Sequence, residues 1–296
     1  MGANLKEVRE RIRSVISTQQ ITKAMKMVSA AKLRRAQQAI VQLRPYSSKL
    51  EAMMGNILAN VDGGDATGEY GTPREVENVL MVVVTSNRGL CGAFNTNIIK
   101  SALHTMNTKY AEQHAAGKIT MLCIGKRGND YFRRRNYKII GDYVEIFSDL
   151  SFDNVAVASQ RVINDYKAKK YDAVEVSYGR FKNAAMQFAE TEAFLPVPKQ
   201  ALAKGTTTKK ADYIFEPNEI ELLTDLIPTI LQVQFQKCLL DTHASEHGAR
   251  MTSMDKATDN ANDMLKELKI NYNKARQEAI TKELSEIVGG AAALSS

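Results

Sequence analysis

The sequence predicts an α/β domain that lies between two long helices. Two observations predict the helices: residues 3–44 and 249–288 contain neither glycine nor proline, and each segment carries apolar residues at helical spacing. A third observation predicts the domain, because short β-branched runs alternate with helical patterns in the residues between these segments. That alternation is typical of a mostly parallel sheet covered by helices.

The first helix carries one apolar stripe and a strong positive charge. Residues 3–44 hold ten basic and two acidic side chains, a net charge of +8, so this segment accounts for the whole formal charge of +7. Such a helix suits nucleic acid, anionic lipid or an acidic protein surface. No aromatic residue precedes Tyr46, and the stripe is rich in alanine, which disfavours nucleic acid and membrane insertion. An acidic protein partner is the expectation that remains. The predicted stripe comprises Leu5, Val8, Ile12, Val15, Ile21, Met25 and Val28.

The middle of the chain shows its elements in order. Four glycines and a proline in residues 62–74 predict a loop, and the polar residues 204–210 predict a flexible segment. The run NVLMVVVTS predicts a strand that is covered on both faces. The predicted strands are 78–86, 119–125, 137–141 and 173–178, with a further extended segment at 185–194. The predicted helices are 94–114, 127–134 and 154–169.

The last helix is expected to run from about residue 218 to 288. Pro217 fits a first helical turn, Pro228 should bend the helix and Gly248 should weaken it. At 1.5 Å per residue the helix is on the order of 100 Å long, too long to bury its stripe against a small domain. The first helix is therefore its expected partner. The predicted stripe comprises Met254, Ala257, Ala261, Met264, Leu268, Tyr272, Ala275 and Ala279.

Composition excludes several classes of protein. An apolar content of 44% excludes global disorder. The longest plainly apolar run, 79–84, has six residues, whereas a membrane span needs roughly 20. The first residues show neither a signal nor a transit pattern, so we expect the protein to stay in a cytosol. Cys91, Cys123 and Cys238 have no disulfide or metal-site spacing, and the last two are expected to be buried.

Two short motifs suggest chemistry. The turn SNRGLCGAFN at 86–95 follows a strand but lacks the glycine pattern of a nucleotide site, so a turn that needs glycine is the favoured interpretation. His243, Glu246 and His247 fit the H-x-x-E-H pattern of a zinc protease. No third ligand is evident, and two solvent-facing histidines on a helix are the favoured interpretation. A small-molecule enzyme that uses the 86–95 turn and a basic coiled coil that binds nucleic acid remain alternative functions.

Three segments resemble the γ subunit of F-type ATP synthase, of the bacterial type. These are QQITKAMKMVSAAKLRRAQ at 19–37, TSNRGLCGAFN at 85–95, and residues 249–293 with the block ITKELSEIVGGAA. The resemblance implies a fold of the α/β class. The N- and C-terminal segments form a long antiparallel two-helix coiled coil, beside a central, mostly parallel, Rossmann-like domain. The implied boundaries are 1–60 and 217–296 for the coiled-coil helices, 61–77 for a loop, 78–200 for the domain and 201–216 for a linker.

The resemblance also implies a function. The chain would be a non-catalytic rotor shaft that couples proton-driven rotation of the membrane c-ring to ATP synthesis at the β subunits, and the reverse proton pumping. It would thereby regulate ATPase activity and proton flow. Its partners would be three α and three β subunits around the shaft, the ε subunit and the c-ring. It would hold no cofactor or metal, bind no nucleic acid and insert no segment into the membrane. It would lie at the cytoplasmic face of the bacterial inner membrane as a peripheral protein.

The family's contact positions fall on specific residues of this sequence. The positions that face the α and β subunits are Lys23, Met25, Lys26, Arg250, Gln277, Thr281 and Glu283. The positions near the c-ring and ε are Tyr213, Glu216 and Pro217. Without the resemblance, Met25 would be interpreted as a core residue of the coiled coil, and Gln277 and Thr281 as plain helix surface.

Overall fold

A computed structural model describes residues 5–60, 70, 74–197 and 219–294 of the chain. The helix α1 (Leu5–Asn60) precedes a five-stranded sheet, and the last helix, α6 (Glu219–Leu294), follows it. α1 continues through Pro45, although the missing N–H of a proline removes one helical hydrogen bond. Ser47 and Leu50 are buried on the far side of Pro45, so packing of this face compensates for the lost bond.

The sheet has the strand order β3-β2-β1-β4-β5. β1, β2, β3 and β4 are parallel, and β5 pairs antiparallel with β4 at the edge. The strands are β1 (Val79–Val84), β2 (Ile119–Ile124), β3 (Lys138–Ile140), β4 (Ala173–Phe181) and β5 (Gln187–Leu195). The helices between them are α2 (Phe94–Thr108), α3 (Ala111–Ala115), α4 (Lys126–Arg133) and α5 (Phe152–Lys167). The predicted parallel α/β sheet is therefore confirmed.

Both faces of β1 are buried, and alternate residues of this strand face opposite layers. Val79, Met81 and Val83 belong to an apolar cluster that contains residues of α2 and α4. Leu80, Val82 and Val84 belong to a second cluster that contains residues of α5 and residues between Ile227 and Leu239 of α6. This double coverage explains why β1 reads as a continuous apolar run rather than an alternating one.

Some predicted elements differ from the structure in extent. The predicted helix 94–114 is two helices, because α2 ends at Thr108 and α3 begins at Ala111. β4 continues to Phe181, three residues beyond its predicted end, because it pairs with β5 over that length. α6 extends to Leu294, six residues beyond the predicted end. The predicted flexible segment 204–210 and the linker 201–216 lie outside the described residues, as does the predicted loop 62–74 apart from Tyr70 and Arg74.

The chain divides into two compact units. Residues 1–29 and 251–296 form one, here called the coil unit, and residues 30–250 form the other, here called the central unit. Each long helix contributes to both units. The inner parts of α1 and α6 thus pack with the sheet, while their outer parts pack in the coil unit.

Candidate partner interface

Four side-chain contacts define the register of α1 and α6 in the coil unit. Arg9 Nη2 donates a 3.0 Å hydrogen bond to the Tyr272 hydroxyl, and the Thr22 and Thr258 hydroxyls lie 2.8 Å apart. Two further bonds join Gln19 to Asn262 and Lys26 to Asp255. As the residue number rises along α1, the partner's number falls along α6. The two helices are therefore antiparallel, as the resemblance implies.

The seam of this coiled coil follows the steps of three and four that define a heptad. On α6 the buried positions are Met254, Ala261, Leu265 and Leu268. The predicted stripe was wrong at Met264, which is 45% exposed, because the heptad places Leu265 in the seam instead.

On α1 the predicted stripe was wrong at Ile21 and Val28, both of which are exposed. The heptad continues from Leu5, Val8, Ile12 and Val15 through Gln19, Thr22, Lys26 and Ser29. Thr22 and Ser29 are buried polar residues. A polar layer in a coiled-coil seam fixes the register and lowers stability. Hydrophobicity alone does not find these positions, whereas continuing the observed spacing would have found them.

The predicted contact residues on α1 lie beside this polar part of the seam. Lys23 is exposed, and Met25 and Lys26 are half-buried. Lys26 forms an ion pair with Asp255, with 42% and 49% of the two side chains exposed. The Lys23 ammonium and part of the Met25 side chain are therefore available at the coil surface.

The predicted contact residues on α6 lie far from those on α1. Gln277, Thr281 and Glu283 are all exposed, and the Thr281 hydroxyl donates 2.9 Å to the Gln277 carbonyl. The register pairs α6 positions near 277 with the start of α1, about 21 residues from Met25. At 1.5 Å per residue the two sets lie about 30 Å apart along the coil. They form two separate bands rather than one site.

Beyond the start of α1, the last turns of α6 have no described helix beside them. Four apolar side chains there share one face and remain exposed: Ile280, Leu284, Ile287 and Val288. Together with the exposed basic side chains of α1, this face gives the coil unit an apolar end and a cationic flank. Surfaces of this kind indicate protein contacts.

Arg250 is placed differently from the other predicted contacts. It belongs to the central unit and is only 7% exposed. Its guanidinium forms a 2.7 Å ion pair with Glu246 and donates hydrogen bonds to backbone carbonyls of the β1–α2 turn. Its predicted contact with the α and β subunits stays a prediction. Tyr213, Glu216 and Pro217 lie outside the described residues.

The histidine pair of the H-x-x-E-H motif is also in the central unit. The prediction that both histidines face solvent was wrong, since His247 is 5% exposed and His243 is half-buried. Their Nε2 atoms lie 3.1 Å apart, and Arg250 donates to Nδ1 of His247 at 3.2 Å. Since Nδ1 of His247 accepts this bond, the ring carries its proton on Nε2, and that N–H donates a hydrogen bond to Nε2 of His243. Burial lowers the pKa of His243 to about 4 and that of His247 to about 3, and nearby cations add to both shifts.

The same segment of α6 occupies the place where such sheets bind ligands. The chain leaves β1 toward β2 and β3 and returns to β4 on the other side, so the topological switch point lies between β1 and β4. There, the Ser245 hydroxyl donates 3.0 Å to the carbonyl of Gly179, and the Gly179 N–H donates 3.2 Å to the Thr242 hydroxyl. A Cβ at residue 179 would come within 2.6 Å of the Phe94 ring. This packing disfavours a nucleotide in the cleft. The Arg250 guanidinium next to His247 disfavours a zinc ion at the two histidines.

Among the described residues, no group of three or more His, Cys, Asp or Glu side chains is arranged to hold a metal ion. None of the helices in the described part of the chain has the length and apolar character needed to cross a bilayer.

An antiparallel coil in one unit and a parallel α/β domain in the other define a class of protein that presents long helices to partners. The family model described as ATP synthase matches residues 4–294. An ATP synthase gamma chain of Cytophaga hutchinsonii is 54% identical over 292 residues, covering 98% of this chain and 99% of the relative. One from Flavobacterium psychrophilum is 50% identical over 292 residues, covering 99% of each chain.

Solved structures show the same fold. A chain of the Euglena gracilis mitochondrial ATP synthase (OSCP/F1/c-ring, rotational state 3) aligns with a TM-score of 0.66 at 22% identity, covering 98% of this chain and 94% of that one. A chain of the rotor of the same synthase in rotational state 1 aligns at 0.62 and 20% identity, covering 93% and 98%. The chain belongs to the ATP synthase gamma chain family.

Proposed function

We propose that this chain is the central-stalk rotor shaft of an F-type, proton-translocating ATP synthase. It couples rotation of the membrane c-ring to ATP synthesis from ADP and phosphate at the β subunits, and it drives proton pumping when ATP is hydrolysed. The observation that carries this proposal is identity of 54% to an ATP synthase gamma chain along 98% of the sequence. The antiparallel coil supports it with a surface suited to protein contacts.

The shaft acts by asymmetry rather than by chemistry of its own. A single coil inside a ring of three α and three β subunits cannot contact all three β subunits alike. Each orientation therefore favours a different set of β conformations through differences in contact free energy. In this account the chain is non-catalytic, and it regulates ATPase activity and proton flow through these contacts.

Two bands of the coil unit are the proposed contacts with the ring. Lys23, Met25 and Lys26 form the band on α1, where the exposed Lys23 ammonium suits acidic loops of β. Gln277, Thr281 and Glu283 form the band on α6, next to the exposed apolar face that suits an apolar sleeve at the end of the shaft.

The proposed lower partners are the ε subunit and the c-ring, reached through Tyr213, Glu216 and Pro217. The chain itself inserts nothing into the bilayer and binds no nucleic acid. It is a peripheral component at the cytoplasmic face of the bacterial inner membrane.

Replacing Met25 tests the coupling role. Met25→Lys adds a cation beside Lys23 and Lys26, which strengthens attraction to acidic loops in some orientations and should lower proton pumping per ATP hydrolysed. The measurement uses membrane vesicles that contain the assembled complex. Met186→Lys, at a position 47% exposed in the central unit, is the matched control and should leave the ratio unchanged. An unchanged ratio for Met25→Lys would show that this assignment is wrong.

Co-purification tests the assembly. A tagged copy of this chain should bring down three α and three β subunits for each copy of itself, together with ε. Recovery of the chain free of both ring subunits, or in equal numbers with them, would contradict the proposed shaft.

A further inference from the structure

Every nitrogen of the Arg250 guanidinium is engaged inside the central unit. Nε and Nη2 donate to the Gly89 carbonyl at 3.4 and 3.3 Å, and Nη2 also donates to the Arg88 carbonyl at 3.1 Å. Nη1 donates to His247, and Nη2 forms the ion pair with Glu246. The Arg250 side chain is 9% exposed, and it would have to break these bonds to reach another subunit.

The carbonyls that Arg250 binds belong to the turn between β1 and α2, residues 86–92. This turn carries Leu90, which is 64% exposed and has a positive φ of 63°. A leucine in the left-handed region costs about 1 kcal/mol or more and persists only where its surroundings hold it. Ser86 holds the start of the turn, because its hydroxyl donates 2.6 Å to the Arg88 carbonyl. Arg250 ties the middle of the turn to α6.

We propose that Arg250 is a positioning residue that clamps the β1–α2 turn to α6, rather than a direct contact with the ring. The clamp keeps the exposed Leu90 in a fixed place relative to the helix. This inference rests on the proposed rotor function in one respect. When α6 turns, the turn and its apolar tip must turn with it if they are to meet a neighbouring subunit in the same orientation each time.

A cysteine already present in the turn reports on the clamp. Cys91 is 2% exposed, and Cys123 and Cys238 are also buried. In the isolated full-length chain, the rate at which a thiol reagent labels each cysteine measures how often its surroundings open. Peptide mapping by mass spectrometry separates the three rates.

Arg250→Gln should speed labelling of Cys91 by about tenfold or more, because charge-assisted bonds to the turn are lost. The rates of Cys123 and Cys238 should stay as they are in the unaltered chain. Arg276→Gln, the same change at an exposed position of α6, should alter none of the three. An unchanged Cys91 rate would overturn the proposal, and so would a rise shared equally by all three cysteines.

Arg250→Lys keeps a positive charge near Glu246, so the buried carboxylate stays paired and the fold is expected to be retained. An ammonium lacks the planar guanidinium geometry that reaches the carbonyls of both Arg88 and Gly89. The Cys91 rate of this variant should fall between those of the unaltered chain and Arg250→Gln. A rate equal to that of the unaltered chain would show that charge alone suffices, which contradicts the clamp.

The role in rotation needs a second readout. In vesicles with the assembled complex, Arg250→Gln should reduce proton pumping per ATP hydrolysed. Faster Cys91 labelling with undiminished coupling would overturn the link between the clamp and rotation. Vesicles that contain the unaltered chain test the proposed function itself. If those vesicles do not couple ATP hydrolysis to proton pumping, the proposed function fails, whatever the role of Arg250.

Discussion

Truncation of one seam residue should loosen the coil unit without disturbing the sheet. Leu268 is 7% exposed, and on the same helix Leu284 is 57% exposed. Leu268→Ala removes three buried carbon atoms, a change that costs about 2–5 kcal/mol in protein cores. Leu268 and Val8 border an open groove of about 250 Å³, so water can enter the space left behind. We therefore expect the lower half of that range, about 2–3 kcal/mol.

Amide hydrogen exchange of the isolated full-length chain measures this loss region by region. A cost of about 2–3 kcal/mol corresponds to roughly 30- to 150-fold faster exchange. The acceleration should be confined to peptides from residues 5–29 and 255–280, with the strands β1 and β2 unaffected. Leu284→Ala is the matched control and should change exchange little. Equal acceleration in β1 would refute the view that the coil opens separately, and no acceleration in the coil would refute the packing assigned to Leu268.

Two further predictions concern polar groups at buried positions. Thr22→Val and Thr258→Val should each lower the free energy of unfolding of the coil unit by less than about 1 kcal/mol. The loss is small because the remaining hydroxyl keeps its bond to a carbonyl of its own helix. In denaturant titrations, the double variant should recover part of that loss. Strictly additive losses would contradict the 2.8 Å contact between the two hydroxyls. Burial raises the pKa of Asp241 to about 6. Between about pH 4 and 6 the folded chain therefore holds a proton that the unfolded chain has lost. The contribution of Asp241 to stability falls as pH rises through that window. Asp241→Asn should therefore stabilise the central unit by up to about 3 kcal/mol above pH 6 and by less at pH 4.5; a difference in urea unfolding that is independent of pH would contradict the assignment.

The elements of the central unit could be predicted to within a few residues. β1, for example, was predicted at 78–86 and runs from Val79 to Val84, because a strand covered on both faces leaves an uninterrupted apolar run in the sequence. The long helices could be predicted from their lack of glycine and proline. The break between α2 and α3 could not, because no glycine or proline marks residues 109–110.

The details of the coil were harder to predict because its seam is partly polar. Apolar spacing located Leu5 and Val8 but then followed Ile21 and Val28 onto the exposed surface. The true seam passes through Thr22, whose hydroxyl is paired with Thr258 on a helix more than 200 residues away in the sequence. That partner becomes visible only when the antiparallel register is known.

Only part of the surroundings of Arg250 could be predicted from local sequence. Glu246 lies four residues earlier on the same helix, at the spacing of an ion pair. The carbonyls that Arg250 also binds belong to a turn 161 residues earlier, and residue types do not reveal a contact with backbone atoms. The same holds for His247, which is buried because α6 fills the switch-point cleft of the sheet. The predicted contact bands at Met25 and Gln277 came from resemblance, and the structure adds only that both bands are accessible at the surface.

Observation of rotation tests the central claim most directly. A bead attached through Lys182→Cys, an exposed position of the central unit, would report the motion of this chain in an immobilised complex supplied with ATP. A Thr22→Cys, Thr258→Cys disulfide should form and should leave rotation intact, because the two helices turn together. Repeated turns of the bead in one direction are expected with and without that cross-link. A bead that stays still while the complex hydrolyses ATP would contradict it.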